Sequence, residues 1–435
     1  MTARFQARWL AIGDRAGTVV PDGVVDVADS GRIEYVGPLA EAPPTNAATT
    51  ALGGALLPGF VNTHCHAPMT LFRGAGEGLP LERWLHEVMW PREARLTPDD
   101  VYAGMALAAT EMLRCGVTTS SEMYFHPEAM IAATGAAGAR LIAAAPLLAP
   151  PGEQQLSTLD KQLAAALDHA ASYDKDPRVQ IALGPHSAYV VPVPFLTTVA
   201  ERAKESGLLV HIHVAETKAE DAGLLETYGA STPRVLADNG VLEARLIAAH
   251  AVWMSTEDIE IFQRHDVSVA HCPSSNAKLA SGIAPLTDLL AAGVRVGLGT
   301  DGPASNNTLD LWHEIRLASQ LAKLSTMDTT ALPAAEAFWL ATGGGAAALG
   351  RDDIGVLEAG RWADLVHLDT QDSAFVPIET PTDLLTHLVW SAGSRHVRDT
   401  WVAGRSVVTD GVCHTLDAPT LRTEVQRIAL RLAGV

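Results

Sequence analysis

Between Leu56 and Thr300, short apolar runs alternate with helix-like segments. The runs are Leu56–Val61, Val117–Ser121, Arg140–Ala145, Gln180–Gly184, Leu208–Val214, Leu246–His250, Val267–His271 and Val294–Thr300. Several are continuously apolar rather than alternating, as in Leu-Leu-Val-His-Ile-His-Val at 208–214, the pattern of a parallel strand buried on both faces. Between them, Thr97-Pro98-Asp99-Asp100 reads as a helix start, with Thr as the cap and Pro at the first helical position. Its Ala-rich continuation ends near Cys115-Gly116, and Ser255-Thr256-Glu257-Asp258 opens another helix that closes before Val267. Eight strand–helix units predict an α/β fold, the (β/α)8 or TIM barrel. No GxGxxG follows any strand, which disfavours a doubly wound open sheet.

The two ends break this pattern. Val19-Val-Pro-Asp-Gly-Val-Val-Asp-Val27 and Trp401-Val-Ala-Gly-Arg-Ser-Val-Val408 are strand-like pieces interrupted by turn signals. Because termini often lie close together, a small β-sandwich domain built from both ends is the economical expectation. Residues 1–55 would form its first part, 56–352 the barrel, and 353–435 its second part plus a terminal helix.

Composition narrows the function. Hydrophobic residues make up 48% of the 435, enough for a large core and too many for a disordered chain. Lys and Arg number 31 against 50 Asp and Glu, a formal charge of −19 with no basic run, so neither nucleic acid nor an anionic membrane is an expected partner. Four cysteines without a CxxC pair, no apolar leader and no apolar stretch near 20 residues lead to the expectation of a soluble cytoplasmic protein.

Of the 16 histidines, an unusual share falls at predicted strand ends. His64 and His66 follow the first run, His211 and His213 lie in the fifth, His250 ends the sixth, His271 ends the seventh, and Asp301 follows the eighth. In an extended segment residues i and i+2 point to the same side, so His64 and His66 can reach one metal. With His213 and Asp301 they supply three imidazoles and a carboxylate at strand ends where barrel enzymes keep their chemistry. That set suits Zn²⁺ or Fe²⁺ with a position left for water.

Pro58-Gly-Phe-Val-Asn-Thr-His-Cys-His66, His211-Ile-His-Val-Ala-Glu-Thr217 and Gly299-Thr-Asp-Gly-Pro-Ala-Ser-Asn-Asn307 resemble the amidohydrolase superfamily. Ala67-Pro-Met-Thr-Leu-Phe-Arg-Gly74, Leu79-Pro-Leu-Glu-Arg-Trp-Leu85, Trp90-Pro-Arg-Glu-Ala94 and the stretch His271–Gly282 resemble its methylthioadenosine/S-adenosylhomocysteine deaminase branch. The resemblance covers nearly the whole chain. It implies one metal held by His64, His66, His213 and Asp301. Two-metal relatives use a carboxylated lysine near strand four, where this chain reads Leu183-Gly-Pro-His186. The zinc-deaminase pattern of His-x-Glu with a later Pro-Cys-x-x-Cys is absent.

The expected reaction is hydrolytic deamination of an aminopurine nucleoside. A bound metal lowers the pKa of water from 15.7 to about 7. Glu216, in the family's acid/base motif, would move the proton to a ring nitrogen. Asp301 would hold metal and water, and His250 would orient the water or stabilise the oxyanion. By resemblance, Glu93 would accept from ribose hydroxyls, His186 would contact the nucleoside, and Trp84 would wall the purine. Some relatives carry an arginine after strand three that can hold a homocysteine carboxylate. Here Leu147 and Leu148 lie there, which favours methylthioadenosine, adenosine or 5′-deoxyadenosine over S-adenosylhomocysteine. A guanine or other free-base deaminase, an s-triazine chlorohydrolase and a non-catalytic metal-binding scaffold are the competing readings. A homo-oligomer is a family-level expectation, and His271 and Cys272 receive no role.

Overall fold

The computed structural model describes residues 3–150 and 152–434. Its barrel strands are Phe60–Cys65, Val117–Met123, Arg140–Leu147, Val179–Pro185, Leu209–Val214, Leu246–His250, Ser268–His271 and Arg295–Leu298, side by side in chain order. Every neighbouring pair is parallel, with helices in the crossovers. The helix Pro98–Arg114 begins as its sequence requires. Thr97 Oγ1 accepts from the Asp100 N–H while the Asp100 carboxylate accepts from the Thr97 N–H. Ser255 and Asp258 make the same reciprocal cap on Thr256–Arg264.

The first strand and the segment just past the eighth are joined by a few hydrogen bonds, two of them through the Asn62 side chain, instead of a regular ladder. Asn62 Nδ2 donates to Thr300 Oγ1 at 2.8 Å, and Asn62 Oδ1 accepts from the Thr300 N–H at 3.0 Å. One step on, the Asp301 N–H donates to the His64 carbonyl at 3.0 Å. These contacts close the barrel and fix the register of its two edge strands.

The run Leu56–Val61 divides into two strands, contrary to its reading as one. Ala55–Pro58 pairs antiparallel with Leu365–Leu368 in the small sheet, while Phe60–Cys65 enters the barrel. Gly59 is the pivot. Its N–H donates to the Asp364 carbonyl, and a Cβ there would sit 2.1 Å from Thr118 Oγ1. Only glycine leaves room for the Thr118 side chain at this position.

The small sheet joins both ends of the chain, because Ala55–Pro58 lies between Ala3–Ala11 and Leu365–Leu368. On one side follow Val19–Val27 and Ile33–Pro38, on the other Val397–Val402, Arg405–Thr409 and Val412–Cys413. A flat sheet would hold Ala3–Ala11 and Val397–Val402 about 14 Å apart, three spacings of about 4.8 Å. The rings of Phe5 and Trp401 are nevertheless 4.9 Å apart, so the sheet curls over a shared apolar layer with Val25, Ile33 and Leu365. The terminal helix Ala418–Ala433 packs on barrel helix Pro98–Arg114, where Arg431 Nη2 donates to Asp100 Oδ1 at 2.6 Å.

A buried ion pair locks the sheet to the barrel. Arg140 Nε and Nη2, at the start of the third barrel strand, donate to the two oxygens of Asp364 at 2.6 and 3.0 Å. Asp364 Oδ1 also accepts from the Ala403 N–H at 2.8 Å, and both side chains are almost fully buried. Removing one partner strands the other charge. Asp364→Ala is expected to cost about 3–5 kcal/mol in chemical denaturation, and an undiminished unfolding midpoint would contradict this account.

Candidate metal and substrate site

The sequence-predicted ligands converge at the strand ends. His66 Nε2 lies 3.3 Å from His213 Nε2, and Asp301 Oδ1 lies 3.3 Å from both His64 Nε2 and His66 Nε2. The hydrogen bonds behind the rings decide what these atoms are. His66 Nδ1 donates to the Met123 carbonyl at 2.6 Å and His213 Nδ1 to the His186 carbonyl at 2.7 Å. A carbonyl can only accept, so each ring carries a proton on Nδ1, and in its neutral form presents a lone pair at Nε2. Two lone pairs facing each other repel unless a cation lies between them. His64 Nε2 is buried without a hydrogen-bond partner among the described residues, which is the same sign.

Charge states agree with this donor set. Burial drives the His64 imidazole down to about 4 and His213 well below the usual histidine range. Burial opposes ionisation of Asp301, but its contact with His64 and the nearby His66 hold the carboxyl well below the usual range. Neutral imidazoles and one carboxylate are the protonation states metal binding requires. Ser275 and Ser305 donate to Asp301 Oδ2 at 2.5 and 2.8 Å, which turns Oδ1 toward the imidazoles. The set fits a divalent metal ion. His250 also brings a ring nitrogen within 4.8 Å of donor atoms of His64 and His213.

Glu216 and His250 lie beside the donors. Glu216 Oε2 is 3.9 Å from His250 Nε2, and His250 Nδ1 donates to Asn276 Oδ1 at 2.9 Å. Burial raises the Glu216 pKa against the partial opposition of His250. For His250 burial disfavours the cation, but the charges of Glu216 and Asp301 outweigh it and the pKa rises. A buried carboxylate and imidazole whose pKa values move toward each other form a candidate acid/base pair. The Glu216 loop is clamped by Glu220, whose two oxygens accept from the Ala215 and Glu216 N–H groups at 3.1 and 2.9 Å. His250 at φ 75° and Asp301 at φ 59° are both held in left-handed backbone, a strain that only a well-determined surrounding sustains.

These groups floor a cleft with about 690 Å³ of empty space, open solvent at its mouth included. Glu93, Trp84 and His186 all line it. Glu93 Oε1 accepts from the Tyr124 hydroxyl at 2.8 Å, and burial raises its pKa to about 7 although that hydrogen bond opposes the rise. Trp84 is buried and its Nε1 donates to the Ala75 carbonyl at 3.0 Å. The His186 ring packs 4.6 Å from that of His213, and burial lowers its pKa to about 3. Leu148 lines the cleft, whereas Leu147 is fully buried and does not, which corrects the expectation that both would. Strand three ends between them, so their side chains diverge. Among the described residues lining the cleft there is no Lys or Arg.

Sequence reasoning did not single out Tyr124, Glu220, Asn276, Ser275 or Ser305. The last three lie inside motifs that were legible, His271–Gly282 and Gly299–Asn307, and that was their only signal. Among the described residues no helix is long and apolar enough to cross a membrane.

The amidohydrolase family model matches residues 55–407. A 5-methylthioadenosine/S-adenosylhomocysteine deaminase from Pelotomaculum thermopropionicum is 41% identical over 95% of this chain and 96% of its own. A 5′-deoxyadenosine deaminase from Methanothermobacter thermautotrophicus is 39% identical over 88% of each. The crystal structure of an adenosine deaminase from Xanthomonas campestris with bound zinc superposes with a TM-score of 0.94 at 35% identity, covering 100% of this chain and 99% of that one.

Loss of a ligand should separate from loss of fold. His66→Ala and Asp301→Ala are each expected to weaken zinc binding by more than the roughly 10–100-fold that a supporting residue costs. Competition with a chromogenic chelator measures this, with circular dichroism unchanged. Parental affinity in both variants would contradict the ligand assignment.

Proposed function

Since the chain belongs to the amidohydrolase family, we propose that it hydrolytically deaminates an adenine nucleoside to the inosine analogue and ammonia, using one Zn²⁺ ion. The observation that carries this reading is the composition of the cleft. It pairs a metal-donor set at its floor with the Glu216–His250 pair, a half-buried carboxylate at Glu93 and otherwise mainly apolar walls. The similar proteins named above are deaminases of adenosine or its 5′-modified forms, which supports the same substrate class.

In this mechanism His64, His66, His213 and Asp301 hold the ion. When bound, it supplies Lewis acidity that lowers the pKa of water toward about 7. Glu216 takes a proton from the attacking water and delivers it to the purine N1, which makes C6 electrophilic. Asp301 accepts a hydrogen bond from the same water and aligns it with C6. His250, fixed by Asn276, stabilises the oxygen as it gains charge. On collapse the remaining hydroxyl proton passes by way of Asp301 to the amino group, the C–N bond breaks to release ammonia, and the carbonyl forms at C6. Glu93 accepts from the ribose hydroxyls, His186 contacts the nucleoside, and Trp84 walls the base.

The lack of a cation along the cleft bears on the 5′ group. A homocysteine carboxylate would lie against Leu148 without a partner, while a methylthio or methyl group would be at ease there. Methylthioadenosine and 5′-deoxyadenosine are therefore expected to exceed S-adenosylhomocysteine in kcat/KM by about tenfold or more, since an unpaired buried polar group costs about 1–3 kcal/mol and a charge more. The reverse order in a substrate profile would refute the uncharged-tail reading.

Glu93 gives a pH signature. Its carboxyl is protonated below about 7 in the free protein because burial disfavours its charge, and only the carboxylate accepts two hydroxyl protons. We expect kcat/KM for ribosides to rise with pH through this region. Glu93→Gln should lower it by about 10–100-fold, the worth of charge-assisted hydrogen bonds of about 1.5–3 kcal/mol, and remove that limb. A profile unchanged in Glu93→Gln would exclude ribose recognition by this residue.

A further inference from the structure

His211 belongs to no part of the site described so far. It is fully buried in the fifth strand, two residues before His213, so both side chains face the barrel interior with His211 one layer deeper. Its Nε2 lies 2.8 Å from His64 Nδ1, and its Nδ1 lies 3.1 Å from Ser121 Oγ.

A neutral imidazole has one N–H and one lone pair, so one of the two facing nitrogens must donate and the other accept. If His211 donated, the His64 proton would be forced onto Nε2, the atom that faces Asp301 Oδ1 at 3.3 Å, and no lone pair would remain there. If His64 donates from Nδ1, its Nε2 is free, and His211 must carry its own proton on Nδ1. Ser121 Oγ is placed to accept that proton. His66 and His213 reach the same state through main-chain carbonyls, which no substitution removes. His64 alone depends on side chains for it.

We infer that His211, anchored by Ser121, is a positioning residue that holds His64 in the Nδ1–H tautomer and so keeps Nε2 available to the metal. This rests on the metal reading of the site. Partners of this kind behind a ligating histidine fix its ring and tautomer and raise its basicity.

The experiment measures zinc affinity by chelator competition in the full-length protein, together with the visible spectrum of the Co²⁺-substituted form and thermal melting of the metal-free form. His211→Leu keeps the bulk but offers no acceptor, and should bind zinc about 10–100-fold more weakly. His211→Gln retains an acceptor oxygen and should stay close to the parent in affinity and spectrum. Ser121→Ala, which frees His211 to take either tautomer, should fall between them with its melting temperature little changed. A folded His211→Leu with parental affinity overturns the inference, as does His211→Gln binding as weakly as His211→Leu. If His211→Leu does not fold, Ser121→Ala decides, and unchanged affinity there overturns it. A parent protein that binds no zinc removes the metal reading and this inference together, whereas a metal-binding parent with indistinguishable variants removes the inference alone.

Discussion

Asn62 and Thr300 hold the barrel shut with two buried hydrogen bonds between side chain and opposing strand, and the site is built directly above them. His64 is two residues past Asn62 and Asp301 one past Thr300, so the closure that satisfies Asn62 also sets imidazole against carboxylate. The next bond in the seam, from the Asp301 N–H to the His64 carbonyl, ties these two proposed ligands by their backbones. A slip of one residue at this seam would break both Asn62 hydrogen bonds and separate the Asp301 N–H from the His64 carbonyl.

The other end of the first strand is fixed from outside the barrel. Gly59 gives its N–H to Asp364, whose carboxylate is gripped by Arg140 at the foot of strand three. The small sheet thereby sets where the strand carrying His64 and His66 begins. Strands from both ends of the chain make up this sheet, and none of their described residues lines the cleft.

Within the site, proton placement does as much as position. Of the three histidines proposed as ligands, His66 and His213 bond main-chain carbonyls behind their rings, and His64 meets buried His211, which in turn meets Ser121. Asp301 is turned by two hydroxyls, and the Glu216 loop is clamped by Glu220 through its main-chain amides. The groups proposed to react thus sit in a frame of hydrogen bonds already in place. Such a frame costs no reorganisation when charge develops during reaction.

The eight-strand pattern and the strand-end positions of the histidines and Asp301 were legible because the order of apolar runs is a local property of a chain, and Glu216 stood out through the family-like motif around it. Tyr124, Ser275, Ser305, Asn276 and Glu220 were not, since a hydroxyl, amide or spare carboxylate acquires its task only from a neighbour far away in sequence. The same limit explains Leu56–Val61, an unbroken apolar run that Gly59 divides between two sheets because Thr118 crowds it. It also explains why Leu148 rather than Leu147 meets the cleft. The sequence by itself determined which donors exist and in what order the strands bring them. Tertiary structure alone decided which lone pairs face one another, because a histidine's tautomer is set by the partner behind its ring.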